Sequence, residues 1–177
     1  MDLTKGASMR TVSWTSFDSN IGTIYLASTS RGVCKITIPA GGKRDFMQWL
    51  SRTFASAEIV ESQSRNRQII NEINRYLDRK LVTFNARLDL IGTDFQKRVW
   101  KELMKVRYGQ TTTYSHLAKI IGSAGAAQAV GRANGDNPLP IVIPCHRVLG
   151  SDEGLCGYAA GIKTKEFLLR LEGALLL

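Results

Sequence analysis

The chain has 177 residues, 44% of them hydrophobic, enough for one ordinary domain or two small ones that share an interface. Its 24 Lys and Arg against 15 Asp and Glu leave a formal charge of +9, which favours a polyanionic partner and also suits a merely basic, soluble surface. No apolar run approaches the roughly 20 residues that span a bilayer, no secretory signal pattern opens the chain, and three irregularly spaced cysteines (Cys34, Cys145, Cys156) make neither a disulfide framework nor a zinc site.

An intracellular protein of the cytoplasm, or of a nucleus, is therefore expected, with free thiols, no metal and no membrane partner. In chain order, Ile24 and Leu26 alternate with Thr23 and Tyr25, and Cys34, Ile36 and Ile38 alternate with Lys35 and Thr37. That period predicts a half-buried antiparallel hairpin. Phe46, Leu50 and Phe54 then fall on one helical face, and after a polar stretch from Ser56 to Asn66 the helical spacing returns in Ile69, Ile73, Tyr76 and Leu77. Two helices covering one sheet face are expected, with these residues in the core and no chemistry in this half.

A connector from Phe84 to Gly92 leads to Thr93, a cap for a helix whose apolar face holds Phe95, Val99, Trp100 and Leu103. The reading is thus of two domains, residues 1–90 and 91–177. Thr113 caps a helix through Ile120, Gly122 to Gly125 make a turn, and another helix runs from about Ala126 to Asn134 before Gly135 stops it, the outline of a helix-turn-helix. The small residues of that second helix fit close approach to another surface and tight helix packing equally well. Asn137-Pro138-Leu139-Pro140 excludes regular helix, and Ile141-Val142-Ile143-Pro144 reads as an apolar strand that delivers Cys145 to its end. Glycines at 150, 154, 157 and 161 make a mobile or tightly turned loop around Tyr158. The last helix is expected to bury Phe167, Leu168 and Leu171, and Leu175 to Leu177 to form a packed tail.

The strongest local signal is Cys145 followed by His146. A histidine that takes the thiol proton, directly or through water, generates the thiolate needed for displacement at carbon. A carboxylate behind it would hold its tautomer, and Glu172 is the candidate. A buried cysteine beside a histidine is also ordinary packing, and these two residues alone do not decide between the readings.

The wider pattern does decide. Pro144-Cys145-His146-Arg147-Val148, with Asn137-Pro138 upstream and Gly157-Tyr158 downstream, resembles the O6-alkylguanine-DNA alkyltransferases. The resemblance runs from Thr93-Asp94-Phe95-Gln96 and Val99-Trp100 through Tyr114, Ala126-Ala127 and Val130-Gly131 to Lys165-Glu166 and the segment Leu168-Leu169-Arg170-Leu171-Glu172-Gly173. It implies an α/β (α+β) protein: a ribonuclease-H-like N-terminal sheet-and-helix domain, then a mostly helical winged-helix-type domain that binds double-stranded DNA in the minor groove and flips the damaged nucleotide into a pocket. Flipping suits the chemistry, because an alkyl carbon on O6 of a stacked base is out of a side chain's reach.

By the same resemblance Cys145 is the alkyl acceptor, His146 activates it through water, Glu172 polarises His146 and Tyr114 protonates the departing guanine. Asn137 ties the recognition helix to the active-site turn. The Cys145 and Val148 carbonyls read the guanine amino group, Tyr158 and the Ala159 N–H line the pocket, and Lys165 sits at its rim. Thr113, Ser115, Ala126, Ala127, residue 128, Arg132 and Gly135 fall on the DNA-binding surface. The product is a thioether, so the protein acts once, as a monomer, without a cofactor; the sequence leaves cooperativity along DNA open.

One position departs from the family. Where an arginine normally intrudes into the base stack this chain has Gln128, which can hydrogen-bond but carries neither charge nor a guanidinium plane. Weaker flipping is expected, with Arg132 four residues on, on the same helix face, supplying a phosphate contact. Lys97, Arg98, Lys101, Lys105, Arg107, Lys119, Arg132 and Arg147 make the second half basic. Arg147 is expected to bridge backbone or carboxylates, and Cys156 to be an inert small residue. The alternatives are a lesion-binding relative without transfer, against which Cys145 argues, and a cysteine hydrolase, which would need an oxyanion hole and a third triad member.

Overall fold

The computed structural model describes residues 10–39, 42–151, 154, 155 and 157–175. Cys156, Leu176 and Leu177 lie outside the described residues.

The expected hairpin is present as β2 (Gly22–Thr29) and β3 (Gly32–Thr37), inside a four-stranded sheet of order β3-β2-β1-β4. Strands β1 (Thr11–Ser19) and β4 (Glu58–Glu61) were not legible. The polar Ser56–Asn66 stretch contains β4, which pairs parallel to β1 through Thr11 opposite Glu58 and Val12 opposite Ile59, with its side chains no better than half-buried. An edge strand needs little apolar patterning, so its period is weak.

Helices α1 (Lys43–Thr53) and α2 (Gln63–Leu77) do not share a sheet face as expected. The register puts Trp14 opposite Ala27 and Thr15 opposite Leu26. Phe46 and Leu50 of α1 pack with Val12, Trp14, Ala27 and Cys34, whereas Ile69, Ile70 and Ile73 of α2 pack with Ile24, Leu26 and Ile36. Successive strand side chains point to opposite faces, and both faces here are apolar, so each needs its own cover.

The connector is pinned rather than free. Val33 and Leu88 form a parallel bridge, and the buried Glu72 carboxylate accepts from the N–H groups of Asn85 and Ala86. Gly32, at φ +143°, allows the approach: a Cβ there would stand 2.3 Å from the Arg87 carbonyl oxygen.

The second half begins with α3 (Asp94–Leu103), whose Thr93 and Gln96 make a full capping box. A two-residue strand, β5 (Thr112–Thr113), leads into α4 (Tyr114–Ile120), capped by the Thr113 hydroxyl, and a turn through Gly122 and Gly125, both at positive φ, leads into α5 (Ala127–Gly135). Trp100 Nε1 donates to the Ala133 carbonyl at 2.7 Å, fixing α3 against α5.

Residues 141–144 are not the expected strand. Ile143 N–H turns back to the Leu139 carbonyl at 2.8 Å, Ile141 takes φ +74°, and Cys145–Arg147 form one turn of 3₁₀ helix before β6 (Val148–Leu149) pairs with β5. Prolines at 138, 140 and 144 remove three donors that a ladder would use, and the Asn137 side chain serves the turn instead. Helix α6 (Ile162–Leu171) closes the fold. It buries Leu168, Leu169 and Leu171 but leaves Phe167 exposed, because the inward stripe passes through Lys165 instead. One apolar cluster runs from Ile24 and Tyr76 through Trp100 and Ile143 to Leu171, so the core spans both sides of residue 90. Among the described residues no helix is long and apolar enough to cross a membrane.

Candidate active site

Cys145 sits on the 3₁₀ turn at the wall of a cavity of about 570 Å³. Asn137, Tyr158, Ala159 and Gly135 line it from the second half, and residues of β3 together with Trp49 line it from the first. The β3 edge is tied in directly, for Ile36 N–H donates to the Pro138 carbonyl at 2.8 Å.

Asn137 organises the turn. Its Nδ2 donates to Cys145 Sγ and to the Ile143 carbonyl, both at 2.9 Å, while its Oδ1 accepts from Leu139 N–H at 2.9 Å. Burial pushes the Cys145 thiol up from its ordinary value. The Asn137 donor, the neighbouring Tyr158 hydroxyl, the backbone and the positive charge of Lys165 all act the other way, favouring thiolate. The Tyr158 hydroxyl is buried without a well-formed hydrogen bond, and desolvation followed by the adjacent thiolate holds its proton on.

Behind the cysteine lies a closed polar cluster. His146 Nε2 is 2.9 Å from Glu172 Oε1, and neither side chain is exposed. Arg147 grips the same carboxylate with Nε at 2.8 Å and a terminal nitrogen at 2.9 Å, and its other terminal nitrogen donates to the Val106 carbonyl. That is the bridging role expected of Arg147, and its burial removes it from the basic surface. Gly109 N–H adds a donor to Oε2 at 3.3 Å. Burial alone would raise the Glu172 pKa, but hydrogen bonds from His146, Arg147 and Tyr76 outweigh it and hold the carboxyl at about 2. Burial lowers the His146 pKa, against the pull of Glu172. With Nε2–H directed at the carboxylate, Nδ1 is the unprotonated nitrogen, and it has no protein partner.

Lys165 is not at the rim. It is fully buried, and its Nζ donates to the Val148 carbonyl at 2.5 Å. The Cys145 carbonyl likewise accepts from Val148 N–H and from Asn134 Nδ2 at 3.4 Å. Tyr114 opens α4 and lies against Gly131, where a Cβ would meet its ring at 3.8 Å; Gly131 lines the cavity, but Tyr114 does not. Ser115, Gln128, Arg132 and Gly135 are exposed, Thr113, Ala126 and Ala127 half-buried, and Gln128 and Arg132 stand one turn apart on the solvent side of α5.

Sequence reasoning missed two contributors. Tyr76 of α2 belongs to the half read as free of chemistry, yet its hydroxyl donates to Glu172 Oε1 at 2.5 Å. Its helical spacing with Ile69 and Ile73 marks it only as core. Asn134, at the end of a helix of small residues, carried no signal either. Among the described residues no cluster of three or more His, Cys, Asp or Glu could hold a metal ion.

Comparison with known proteins shows the family. Residues 94–174 match the family described as 6-O-methylguanine DNA methyltransferase, DNA binding domain. A methylated-DNA-protein-cysteine methyltransferase of Methanosarcina barkeri is 43% identical over 155 residues, covering 88% of this chain and 93% of the relative. The crystal structure of Mycobacterium tuberculosis OGT in complex with DNA superposes with a TM-score of 0.80 at 37% identity, over 91% of this chain and 92% of that one. The O6-methylguanine-DNA methyltransferase of Pyrococcus kodakaraensis follows at a TM-score of 0.62 and 28% identity, over 92% of this chain and 99% of that one. With a relative this similar over nearly its whole length, and a cysteine-histidine-glutamate cluster where the resemblance placed it, the chain belongs to the methylated-DNA-protein-cysteine methyltransferases.

Proposed function

We propose that this chain repairs O6-alkylguanine in DNA, and less efficiently O4-alkylthymine, by moving the alkyl group irreversibly onto Cys145. The observation that carries the reading is a thiol at a cavity wall, held at 2.9 Å by an amide donor, with a buried His-Glu pair at the next residue. The thiol proton passes through a water to His146 Nδ1, and the thiolate attacks the alkyl carbon in line with the C–O6 bond. That bond breaks toward oxygen, Tyr114 protonates the departing guanine, and a thioether remains. Nothing in this chemistry calls for a cofactor, and one protein molecule repairs one base.

In this reading residues 1–90 form a ribonuclease-H-like domain and residues 91–177 a winged-helix-type domain whose α4-turn-α5 unit enters the minor groove of duplex DNA. Thr113, Ser115, Ala126, Ala127, Gln128, Arg132 and Gly135 meet the DNA, with the chain acting as a monomer inside the cell. Tyr158 and the Ala159 N–H line the base pocket. The Val148 carbonyl, which accepts from Lys165 Nζ, has a second lone pair for the guanine amino group, whereas the Cys145 carbonyl already accepts from Val148 N–H and from Asn134 Nδ2 and reads that group by giving up the long 3.4 Å contact. Lys165 acts from beneath, by holding the Val148 carbonyl.

Intact-protein mass spectrometry after incubation with an O6-methylguanine duplex is expected to show a stoichiometric gain of one methyl on Cys145, and none for Cys145→Ala. Binding without mass gain would replace transfer by lesion recognition. A second expected result concerns Gln128→Arg, which restores a charged, stacking side chain. It should raise single-turnover transfer on duplex DNA about fivefold, for an effect on the order of 1 kcal/mol, and leave reaction with the free modified base unchanged. An equal rate on duplex would remove Gln128 from the flipping step.

A further inference from the structure

Tyr76 reaches the relay from the other half of the chain. Its hydroxyl lies 2.5 Å from Glu172 Oε1 and 3.4 Å from His146 Nε2, the two atoms that pair with each other at 2.9 Å. The residue is fully buried, and its ring is fixed by Phe84 at 5.5 Å and by Tyr108 edge-on at 6.1 Å. A phenol has one proton to give, and the short contact assigns it to the carboxylate. Its oxygen lone pairs then face Nε2, where they can accept only if Nε2 carries the hydrogen. Both hydrogens of the cluster therefore converge on Glu172 Oε1, with the Nε2–H also within reach of the phenol oxygen.

Resting on the transfer reading above, we propose that Tyr76 is a positioning residue for alkyl transfer, anchoring the Glu172 carboxylate that selects the Nε2–H tautomer of His146 and sharing its Oε1 charge so that Nδ1 stays a neutral base. Without the hydroxyl, Oε1 would direct its whole charge at the imidazole and favour imidazolium. The direction agrees with the electrostatics of the cluster, where the Tyr76 hydrogen bond is one of those that lower the Glu172 carboxyl. The other groups facing His146 and Glu172 are Arg147 on the 3₁₀ turn, Lys165 on α6, Tyr108 after α3, and the Tyr158 hydroxyl beside Cys145. Arg147 and Lys165 oppose imidazolium, so Tyr76 works with them rather than alone.

The test is Tyr76→Phe in the full chain, beside Phe84→Leu, which disturbs the packing of the same ring and leaves the hydroxyl in place. Nitrogen NMR of the histidine rings against pH, with exposed His116 as internal reference, should show the His146 protonation midpoint rising by about half a pH unit in Tyr76→Phe only. The acid limb of single-turnover transfer should move up by the same amount, about threefold in rate at a pH on that limb. An unmoved midpoint and limb in folded Tyr76→Phe, or equal shifts in both variants, would overturn the proposal. A wild-type protein that transfers no methyl would instead overturn the transfer reading, and the NMR midpoints would still decide whether Tyr76 orders the histidine.

Discussion

Glu172→Gln is expected to destabilise the protein by about 3–5 kcal/mol at neutral pH, a fall in Tm of roughly 6–20 °C for a chain of this size. The glutamine keeps the shape but leaves the buried Arg147 guanidinium without its counter-charge and His146 without its anionic partner. The sign with pH makes the test specific. A carboxyl held at about 2 in the folded state, against an ordinary 4.5, contributes stability that is fully present above the unfolded value and is lost as pH falls from about 4.5 toward 2. Thermal melts of wild type and variant should therefore lie far apart at pH 7 and converge as pH approaches 2. A gap that stayed constant across that range would mean the carboxylate's charge contributes nothing. Transfer should fall on the order of a hundredfold, the usual worth of an oriented general base.

The second large effect is expected at Asn137, where one amide serves the fold and the thiol together. Asn137→Ala leaves Leu139 N–H buried without its partner, at about 1–3 kcal/mol, and removes the donor at Sγ. Asn137→Asp keeps the acceptor for Leu139 N–H but puts negative charge against both the sulfur and the Ile143 carbonyl that the amide served as donor. Both variants should melt below wild type, while alkylation of Cys145 by iodoacetamide should fall more in Asn137→Asp than in Asn137→Ala, by at least about tenfold for one unit of thiol pKa. Undiminished iodoacetamide reactivity in Asn137→Asp would show that the amide does not support the thiolate.

These two residues also show where sequence reading succeeds. Cys145, His146 and Glu172 could be named as candidates from residue type, a thiol beside an imidazole after prolines and a carboxylate to orient it, but the family resemblance, not residue type, chose chemistry over packing. Thr93 and Thr113 were legible as caps because a cap is a local hydrogen bond, and both are found. What failed was everything decided at long range. Tyr76 is 96 residues from Glu172, and on its own helix it is one more apolar position. Lys165 was placed at a rim by its charge, yet the α6 stripe carries it inward to a carbonyl partner. The Ile141–Ile143 run has strand composition, but three prolines and the Asn137 amide impose a turn with Ile141 at φ +74°. Two helices on opposite faces of a sheet have the same periodicity as two on one face, so the sequence carried no signal for that choice.

The core that runs unbroken across residue 90 bears on how much repair a cell holds. A protein that reacts once is a stock, drawn down by each lesion, and its size is the number of molecules folded well enough to present an ionisable thiol. Because Ile36 braces the Pro138 turn and Tyr76 reaches Glu172, that number depends on the half of the chain that holds no acceptor. With native stability usually only 5–15 kcal/mol, a loss of one or two in first-half packing away from Ile36 and Tyr76 would thin the reserve through unfolding and degradation, and leave the reactivity of each surviving molecule untouched.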